Sequence, residues 1–443
     1  MFTRLMTSRR FAPLFWCQLC SALNDNFLKN ALAMLILFGL GGSGAAGGES
    51  AALLITLSGI VFIAPFFIFS ALGGELADRY DKAIVARCIR LAEMPVAGLA
   101  AIGFFWQSVP ILFVTLGLFG IISALFGPLK YGLLPEKLET AELSAGNALV
   151  EGATFLAILI GTIAGGVAVA EAKGAEFVVA VIGLLALASW LLAHAIPVSG
   201  PAAPDLAITA NPWTSTLALL REARTDKRLW SGAHIVSWFW LVGFVALSLL
   251  PPLVKGIFGG SEGVVTTCLA VFTVGIAIGS VVAAQASHGR PNLSLVPLGA
   301  IGMGVFSLAV AWVAWIAVPG PTPLSPGALI GSGQGAALLV SLCGLAISGG
   351  LFVVPSFAAV QAWAPVDRRA RVIAAVNVLN AAYMVGAGGV VAVLQAAGVG
   401  VPALFAALGL LSLVAAGAVA RAWGREGPPV ADAAMPAARP ESR

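Results

Sequence analysis

Apolar runs of about 20 residues recur along the whole chain, and that repetition limits the fold more than any other feature. A helix of that length spans the hydrocarbon core of a bilayer. Inside the core the backbone finds no water, so only helices or closed barrels cross it. The runs are continuous rather than alternating in polarity, which selects helices. Charged residues are 10% of the 443 positions and apolar ones 59%, with 52 glycines besides. Soluble domains carry about 25% charge, so a soluble chain of this composition could not cover its own surface.

Apolar runs between polar breaks give twelve candidate spans. The first six cover Phe11–Leu40, Ala51–Gly74, Ile84–Trp106, Ile111–Leu134, Leu143–Ala170 and Phe177–Ile196. The second six cover Leu229–Val254, Val264–Ser287, Leu293–Val318, Ala336–Ala362, Val372–Ala396 and Pro402–Ala420. The basic start Arg4, Arg9 and Arg10 precedes a long first span containing Asn24-Asp25-Asn26, which reads as retained rather than cleaved.

The basic residues orient these spans. With a cytoplasmic N-terminus, the inside segments hold Arg4, Arg9, Arg10, Arg79, Lys82, Arg87, Arg90 and Lys137. They also hold Arg221, Arg224, Lys227, Arg228, Arg290, Arg368, Arg369, Arg371, Arg421 and Arg425, while the outside loops hold Lys173 and Lys255. This is the positive-inside bias, and it places both termini in the cytoplasm. The formal net charge of +4 reflects that bias and gives no reason to expect nucleic acid as a partner.

The expected organisation is an N-terminal six-helix half over 1–196, a cytoplasmic linker over 197–228, a C-terminal six-helix half over 229–420, and a disordered tail over 421–443. A weak internal repeat supports the two halves. Phe126-Gly127-Pro128 leads to a charged turn and Asn147, and Phe352 to Pro355 leads to Asp367-Arg368-Arg369 and Asn377.

Polar groups inside spans are costly, and they mark cavities or partners. Gln18, Asp25 and Lys29 are seven and four residues apart, so they share a helix face, with Asn24, Asn26 and Asn30 beside them. Asp25 and Lys29 can pair at i,i+4, either as a structural ion pair or as a site for a zwitterionic head group or a coupling cation. Glu93 and Glu151 fall some 12–15 Å inside their helices, with Asn147 one turn from Glu151. Lys130 either faces the same cavity or snorkels to the cytoplasmic surface.

The second half offers the milder groups His234, Trp238, Trp240, Gln361, Asn377, Asn380 and Tyr383. Trp238 and Trp240 read as cavity or interfacial-belt residues. Asn377, Asn380 and Tyr383 read as a polar cavity face or as interhelical hydrogen bonds. Gly161/Gly165 and Gly275/Gly279 have GxxxG spacing and signal close packing. The five cysteines, including Cys17-x-x-Cys20, lie in or beside apolar runs and read as packing residues, with redox or metal chemistry as the alternative.

Between spans two and three stands Gly73-Gly74-Glu75-Leu76-Ala77-Asp78-Arg79-Tyr80-Asp81-Lys82. It resembles the Gly-x-Leu-Ala-Asp-Arg signature of the major facilitator superfamily, departing from it at Asp81 and Ala83. The resemblance implies the major facilitator fold of twelve transmembrane helices, all-α and integral to the membrane, with a cytoplasmic latch. In that latch Gly74 lets helices approach, Asp78 meets a helix N-terminus or a basic group, and Arg79 meets an acidic one. The alternative is an ordinary charged loop. The matching turn in the second half, His288-Gly289-Arg290-Pro291, is degenerate.

Phe11 to Gln18, Asn24 to Asn30, Gly74 to Glu93, and Phe126 to Gly132 with Asn147 to Gly166 together resemble bacterial lysophospholipid transporters. The resemblance covers most of the first half; the second half matches mainly in hydropathy and Phe352–Pro355. It implies a flippase of the bacterial cytoplasmic (inner) membrane that moves lysophospholipid, such as lysophosphatidylethanolamine, from the outer leaflet inward for reacylation. Membrane lipids and a phospholipid acyltransferase would be its functional partners. Asp25 would be a central head-group or gating residue. Some family members carry an arginine in span seven, but this chain has no basic residue around Ser248, so Lys29 or Lys130 would take its place.

The chain has no Walker A lysine, no HxxxxD acyltransferase pattern and no cluster with metal-ligand spacing, so the reading is a transporter without catalytic residues, metal or cofactor. The rival readings are a proton-coupled major facilitator exporter of amphiphilic drugs or metabolites, driven through Asp25, Glu93 or Glu151, and a non-transporting membrane scaffold or receptor.

Overall fold

The structure is a computed structural model that describes residues 2–36, 48–170, 174–209, 211–287, 291–317 and 324–424. In chain order the helices are α1 (Phe2–Thr7), α2 (Ala12–Met34), α3 (Gly48–Arg79), α4 (Lys82–Phe105), α5 (Val109–Lys137), α6 (Leu143–Ala170), α7 (Gly174–His194) and α8 (Pro212–Ala223). There follow α9 (Lys227–Pro252), α10 (Glu262–Ala286), α11 (Leu295–Trp315), α12 (Pro326–Gly331), α13 (Gly333–Trp363), α14 (Arg369–Ala396) and α15 (Val401–Gly424). Lys173, the turn His288–Arg290, Arg425 and the tail beyond it, and the end of the expected first span at 37–40 lie outside the described residues.

Eleven helices among the described residues are long and apolar enough to cross a bilayer. The twelfth expected span is α2, whose 23 residues reach the same length but include Gln18, Asn24, Asp25, Asn26, Lys29 and Asn30. Two boundaries differ from expectation. The signature at 73–79 is the last two turns of α3 rather than a loop, and the connection to α4 is only Tyr80 and Asp81. Asp81 makes that short turn possible: its side chain caps α4 by accepting from Ala83 N and Ile84 N. The 197–228 stretch is likewise not all loop, since it contains α8, which Asn211 caps and Pro212 starts.

The helices pack in two groups whose neighbours correspond. In the first group α2 packs on α6, α3 on α5, and α4 on α5 and α7; in the second α9 packs on α14, α10 on α13, and α11 on α13 and α15. The groups meet through α3 with α14 and α6 with α10. Glycine makes the tightest pairings possible. A Cβ on Gly165 would lie 2.6 Å from the Phe27 carbonyl oxygen of α2, and one on Gly275 would lie 2.7 Å from Ala346 Cβ of α13.

One end of the assembly carries Arg10, Arg79, Lys82, Arg87, Lys137, Arg368, Arg369 and Arg371 and is called the basic end here. These side chains are structural as well as topological. Arg87 donates to the Ala193, His194 and Ile196 carbonyls at the C-terminus of α7, where the helix dipole is negative. Arg90 was expected on this surface but is fully buried, because it has an acidic partner one turn along α4.

Candidate functional site

Away from the basic end, the two groups part around a cavity of about 520 Å³. Its walls are the half of α9 remote from Lys227 (Phe239 to Ser248) and the middle of α2, α3 (Gly59 to Phe66), α5, α6 and α14. The cavity therefore extends from mid-depth toward the opposite end.

Its two walls differ in chemistry. The charged residues lining it are Asp25 and Lys29 of α2 and Lys130 of α5, all in the first group. Gln18, Asp25 and Lys29 all face it, as their spacing on one helix requires. The second group supplies Phe239, Trp240, Phe244 and Leu247 from α9, Met384 from α14, and the amides Asn377 and Asn380. Phe62 and Phe66 of α3 complete an apolar flank.

The three charges are sparsely engaged. Ser123 Oγ donates to Asp25 Oδ2 at 2.5 Å. Lys29 Nζ donates to Asn26 Oδ1 at 3.3 Å, and Lys130 Nζ lies 4.7 Å from the Tyr131 ring centroid. The i,i+4 pair of Asp25 with Lys29 is not among the salt bridges of the described residues, because Ser123 and Asn26 hold the two groups instead. Around them, Gln18 donates to Thr154 at 2.9 Å, and Asn380 accepts from Ser237 at 2.8 Å. Two ammonium groups and one carboxylate on a half-apolar wall can bind a phosphate and an amine together.

Several residues expected at the cavity lie elsewhere. Glu93 is buried behind α2, where Arg90 pairs with it at 2.6 Å and Asn24 donates to it at 2.8 Å. Arg90 also donates to Ser21 at 2.6 Å and lies 3.8 Å over the Phe126 ring, whose residue lines the cavity. Asn24 is one residue before Asp25, so the helical turn points it toward α4 and α7 instead. The i,i+3 spacing of Arg90 and Glu93 was the legible signal for this pair.

Glu151 and Asn147 form the floor. Tyr131 lines the cavity and donates its hydroxyl to Glu151 Oε1 at 2.8 Å, while its ring lies 4.4 Å from that of Phe357 in α13. One turn from Glu151, Asn147 donates to Gln361 Oε1 at 2.6 Å, and Gln361 donates to the Tyr131 carbonyl at 3.2 Å. This buried bridge joins the two groups beneath the cavity. Trp238 packs against the core, since two residues of helix set it away from Trp240 on the cavity side. Tyr383 is hydrogen-bonded to His234 Nδ1 at 2.8 Å and does not line the cavity.

The basic end is closed by contacts between α3 and α14. Asp78 is fully buried and accepts from Ala370 N at 3.0 Å and Arg371 N at 3.1 Å, the unpaired donors at the N-terminus of α14. Arg371 Nε adds a contact at 3.4 Å, and Lys82 lies 3.8 Å from Asp78 while bonding Glu136 at 2.5 Å. Gly74 is where α3 touches α14: a Cβ there would lie 2.8 Å from Ala374 Cβ. Among the described residues Arg79 has no acidic partner. It donates to the Leu206 carbonyl at 3.0 Å, since Arg371 and Arg368 occupy Glu222 instead.

The 197–228 stretch is tied to the same place. Ala202 N and Ala203 N donate to the Asp78 carbonyl, Ser199 N and Gly200 N to the Asp81 carboxylate, and Lys137 to Pro197 and Ser199. Burial alone would raise the Asp81 carboxyl, but the N–H groups of Ser199, Gly200, Ile84 and Ala83 outweigh it and hold it below the ordinary carboxylate value. Sequence reading missed the roles of Ser123, Tyr131, Glu222 and Arg371. Their signals are single polar residues that acquire a role only through contacts distant in sequence.

A family model described as the Major Facilitator Superfamily matches residues 14–342. The chain is 30% identical over 257 residues to the lysophospholipid transporter LplT of Enterobacter sp. (strain 638), covering 56% of this chain and 62% of that one. It is 31% identical over 231 residues to LplT of Serratia proteamaculans (strain 568), covering 51% of this chain and 55% of that one. The chain thus spans less than two thirds of the length of these relatives. A human organic anion transporter (TETRAN) has the same fold, with a TM-score of 0.73 at 18% identity, covering 93% of this chain and 99% of that one. A bacterial homologue of the iron transporter ferroportin, solved in an outward-facing state, has a TM-score of 0.66 at 13% identity, covering 94% and 99%.

Proposed function

The chain belongs to the Major Facilitator Superfamily, and on that premise we propose that it carries a lysophospholipid, such as lysophosphatidylethanolamine, from the outer to the inner leaflet of a bacterial cytoplasmic membrane. The observation that carries this reading is the divided cavity. Asp25, Lys29 and Lys130 stand on one wall, and an aromatic, uncharged surface stands on the other. A lysophospholipid needs both: Lys29 and Lys130 for the phosphate, Asp25 for an amine, and the Phe62–Phe66 and Phe239–Leu247 surfaces for one acyl chain. The names of the similar bacterial transporters support the same substrate class.

The basic end is assigned to the cytoplasm by the positive-inside bias, so the cavity faces the outer leaflet. The halves 1–196 and 229–420 would rock about the fixed site. Release inward requires the Asp78–α14 contacts and the Asn147–Gln361 bridge to part while contacts at the opposite end form. The product, a lysolipid in the inner leaflet, is the substrate of an acyltransferase, which makes such an enzyme the functional partner.

The test is reconstitution in liposomes with labelled lysophosphatidylethanolamine in the outer leaflet. Label should become protected from an external quencher, and Asp25→Asn or the pair Lys29→Gln with Lys130→Gln should slow protection at least tenfold. Protection that is no faster than in protein-free liposomes would overturn the reading. Proton-linked movement of a cationic amphiphile, with lysolipid unmoved, would replace it with the exporter reading.

A further inference from the structure

The segment between the two halves contains a feature that the transport cycle above does not use. Helix α8 docks along the seam between α3 and α14. Its inward face, Ser215, Thr216, Leu219 and Ala223, covers Ala71 of α3 and Ala374 and Ala375 of α14. Ser215 donates to Glu75 Oε1 at 2.6 Å, and Glu222 at the other end of α8 holds Arg371 and Arg368. Thr216 Oγ1 donates to the Phe67 carbonyl at 3.0 Å. Phe67 lies about 18 Å along α3 from Arg79, at 1.5 Å of rise per residue. The first turns of α8 therefore sit well inside the depth spanned by the transmembrane helices, and its last turn reaches the basic end.

The outward face has a matching gradient. Trp213, Leu217, Arg221 and Arg224 are spaced at i, i+4, i+8 and i+11, which puts them in one stripe on the side away from α3. Trp213 is 58% exposed and Leu217 53% exposed, while Arg221, Arg224, Lys227 and Arg228 are all exposed. The two apolar side chains lie at the deep end and the arginines at the shallow end. In water such a stripe would leave a tryptophan and a leucine uncovered beside a membrane surface. In a tilted interfacial helix every group is matched: the ring and the leucine meet the acyl boundary, and the guanidinium groups meet phosphates.

We propose that α8 is an interfacial membrane helix whose outer stripe seats in the anionic cytoplasmic leaflet, Trp213 and Leu217 among the acyl chains and Arg221, Arg224, Lys227 and Arg228 on anionic lipid phosphates. The leaflet then presses α8 against the α3–α14 seam from outside, and the charge of the surrounding lipid becomes an input to the closure that Asp78 and Glu222 maintain. The proposal shares with the transport reading only the placement of the basic end at the cytoplasmic face.

A spin-label accessibility measurement tests it without any substrate, so it stands or falls separately from transport. The full chain, with its five cysteines replaced, carries a nitroxide at Trp213→Cys, at Leu217→Cys, or at the exposed Asp205→Cys as an aqueous reference, in vesicles of phosphatidylcholine with or without phosphatidylglycerol. The ratio of oxygen to nickel-chelate collisions at 213 and 217 should exceed that at 205 severalfold. It should rise further with phosphatidylglycerol, and Arg221→Gln with Arg224→Gln should abolish that rise. Ratios at 213 and 217 equal to that at 205 would place the stripe in water and overturn the proposal. Exclusion of both reagents, as under a second protein or a second copy of this chain, would overturn it too, and indifference to lipid charge would remove the phosphate contacts.

Discussion

Gly74→Ala isolates the contact between α3 and α14. A Cβ at this position would lie 2.8 Å from Ala374 Cβ and 3.0 Å from both the Ala370 carbonyl oxygen and Arg371 Cα. Two of these three neighbours are backbone atoms of the first turn of α14, which Asp78 pins by its hydrogen bonds, so no rotamer change relieves the clash. The helices must separate. Overpacking of this kind costs about 1–3 kcal/mol, and the cost falls only on the conformation in which α3 and α14 touch. At tenfold per 1.4 kcal/mol, the open-to-closed ratio at the basic end should rise about 5- to 140-fold. Pulsed EPR between labels at Ile84→Cys and Val366→Cys, both well exposed and on opposite groups, would report it as a growing longer-distance population. Adding Ala374→Gly removes the nearest atom and leaves the two backbone contacts, so recovery should be partial. An unchanged distance distribution in the folded Gly74→Ala protein would refute the claim that this contact governs closure.

Two further outcomes follow from the buried polar groups. Because the Asp81 carboxyl is held below its unfolded value, its contribution is fully present above the ordinary carboxylate range and disappears as pH falls through the lower folded value. Asp81→Ala should cost about 0.5–2 kcal/mol as a lost helix cap near neutral pH and progressively less in acid, read from thermal unfolding in detergent across pH; a penalty independent of pH would contradict this. Removing one member of the Arg90–Glu93 pair leaves the other charge buried, so Arg90→Met should destabilise by about 3–5 kcal/mol, whereas Arg90→Met with Glu93→Gln should recover most of it. Equal melting temperatures for the single and double variants would show that the two charges do not depend on each other.

How much of the site was legible depended on the range of the interaction. That Gln18, Asp25 and Lys29 share one face was legible because helical periodicity is local: seven and four residues put three polar side chains on one face whatever surrounds the helix. Asn24 and Glu93 were misplaced because depth in a span was read and azimuth was not. Both are deep, yet they point away from the cavity into the Arg90 cluster. Asn147 and Glu151 were correctly read as unable to face lipid, but their partners, Gln361 and Tyr131, come from other helices, and Gln361 is 214 residues away from Asn147.

The sequence by itself determined what bilayer physics imposes on each segment separately. These are the helical spans, the basic bias at one end, and the rule that buried charge must face a partner or a cavity. It also carried the residues of the α3 motif, since a glycine and an aspartate near a helix end can act on whatever helix arrives there. Only the tertiary structure decided which helix arrives. The α14 N-terminus came to Asp78, Arg371 turned to Glu222, and α8 settled over the seam, because these contacts join residues from distant parts of the chain. Contact between segments so far apart depends on how whole helices pack, and no local pattern of residues encodes that.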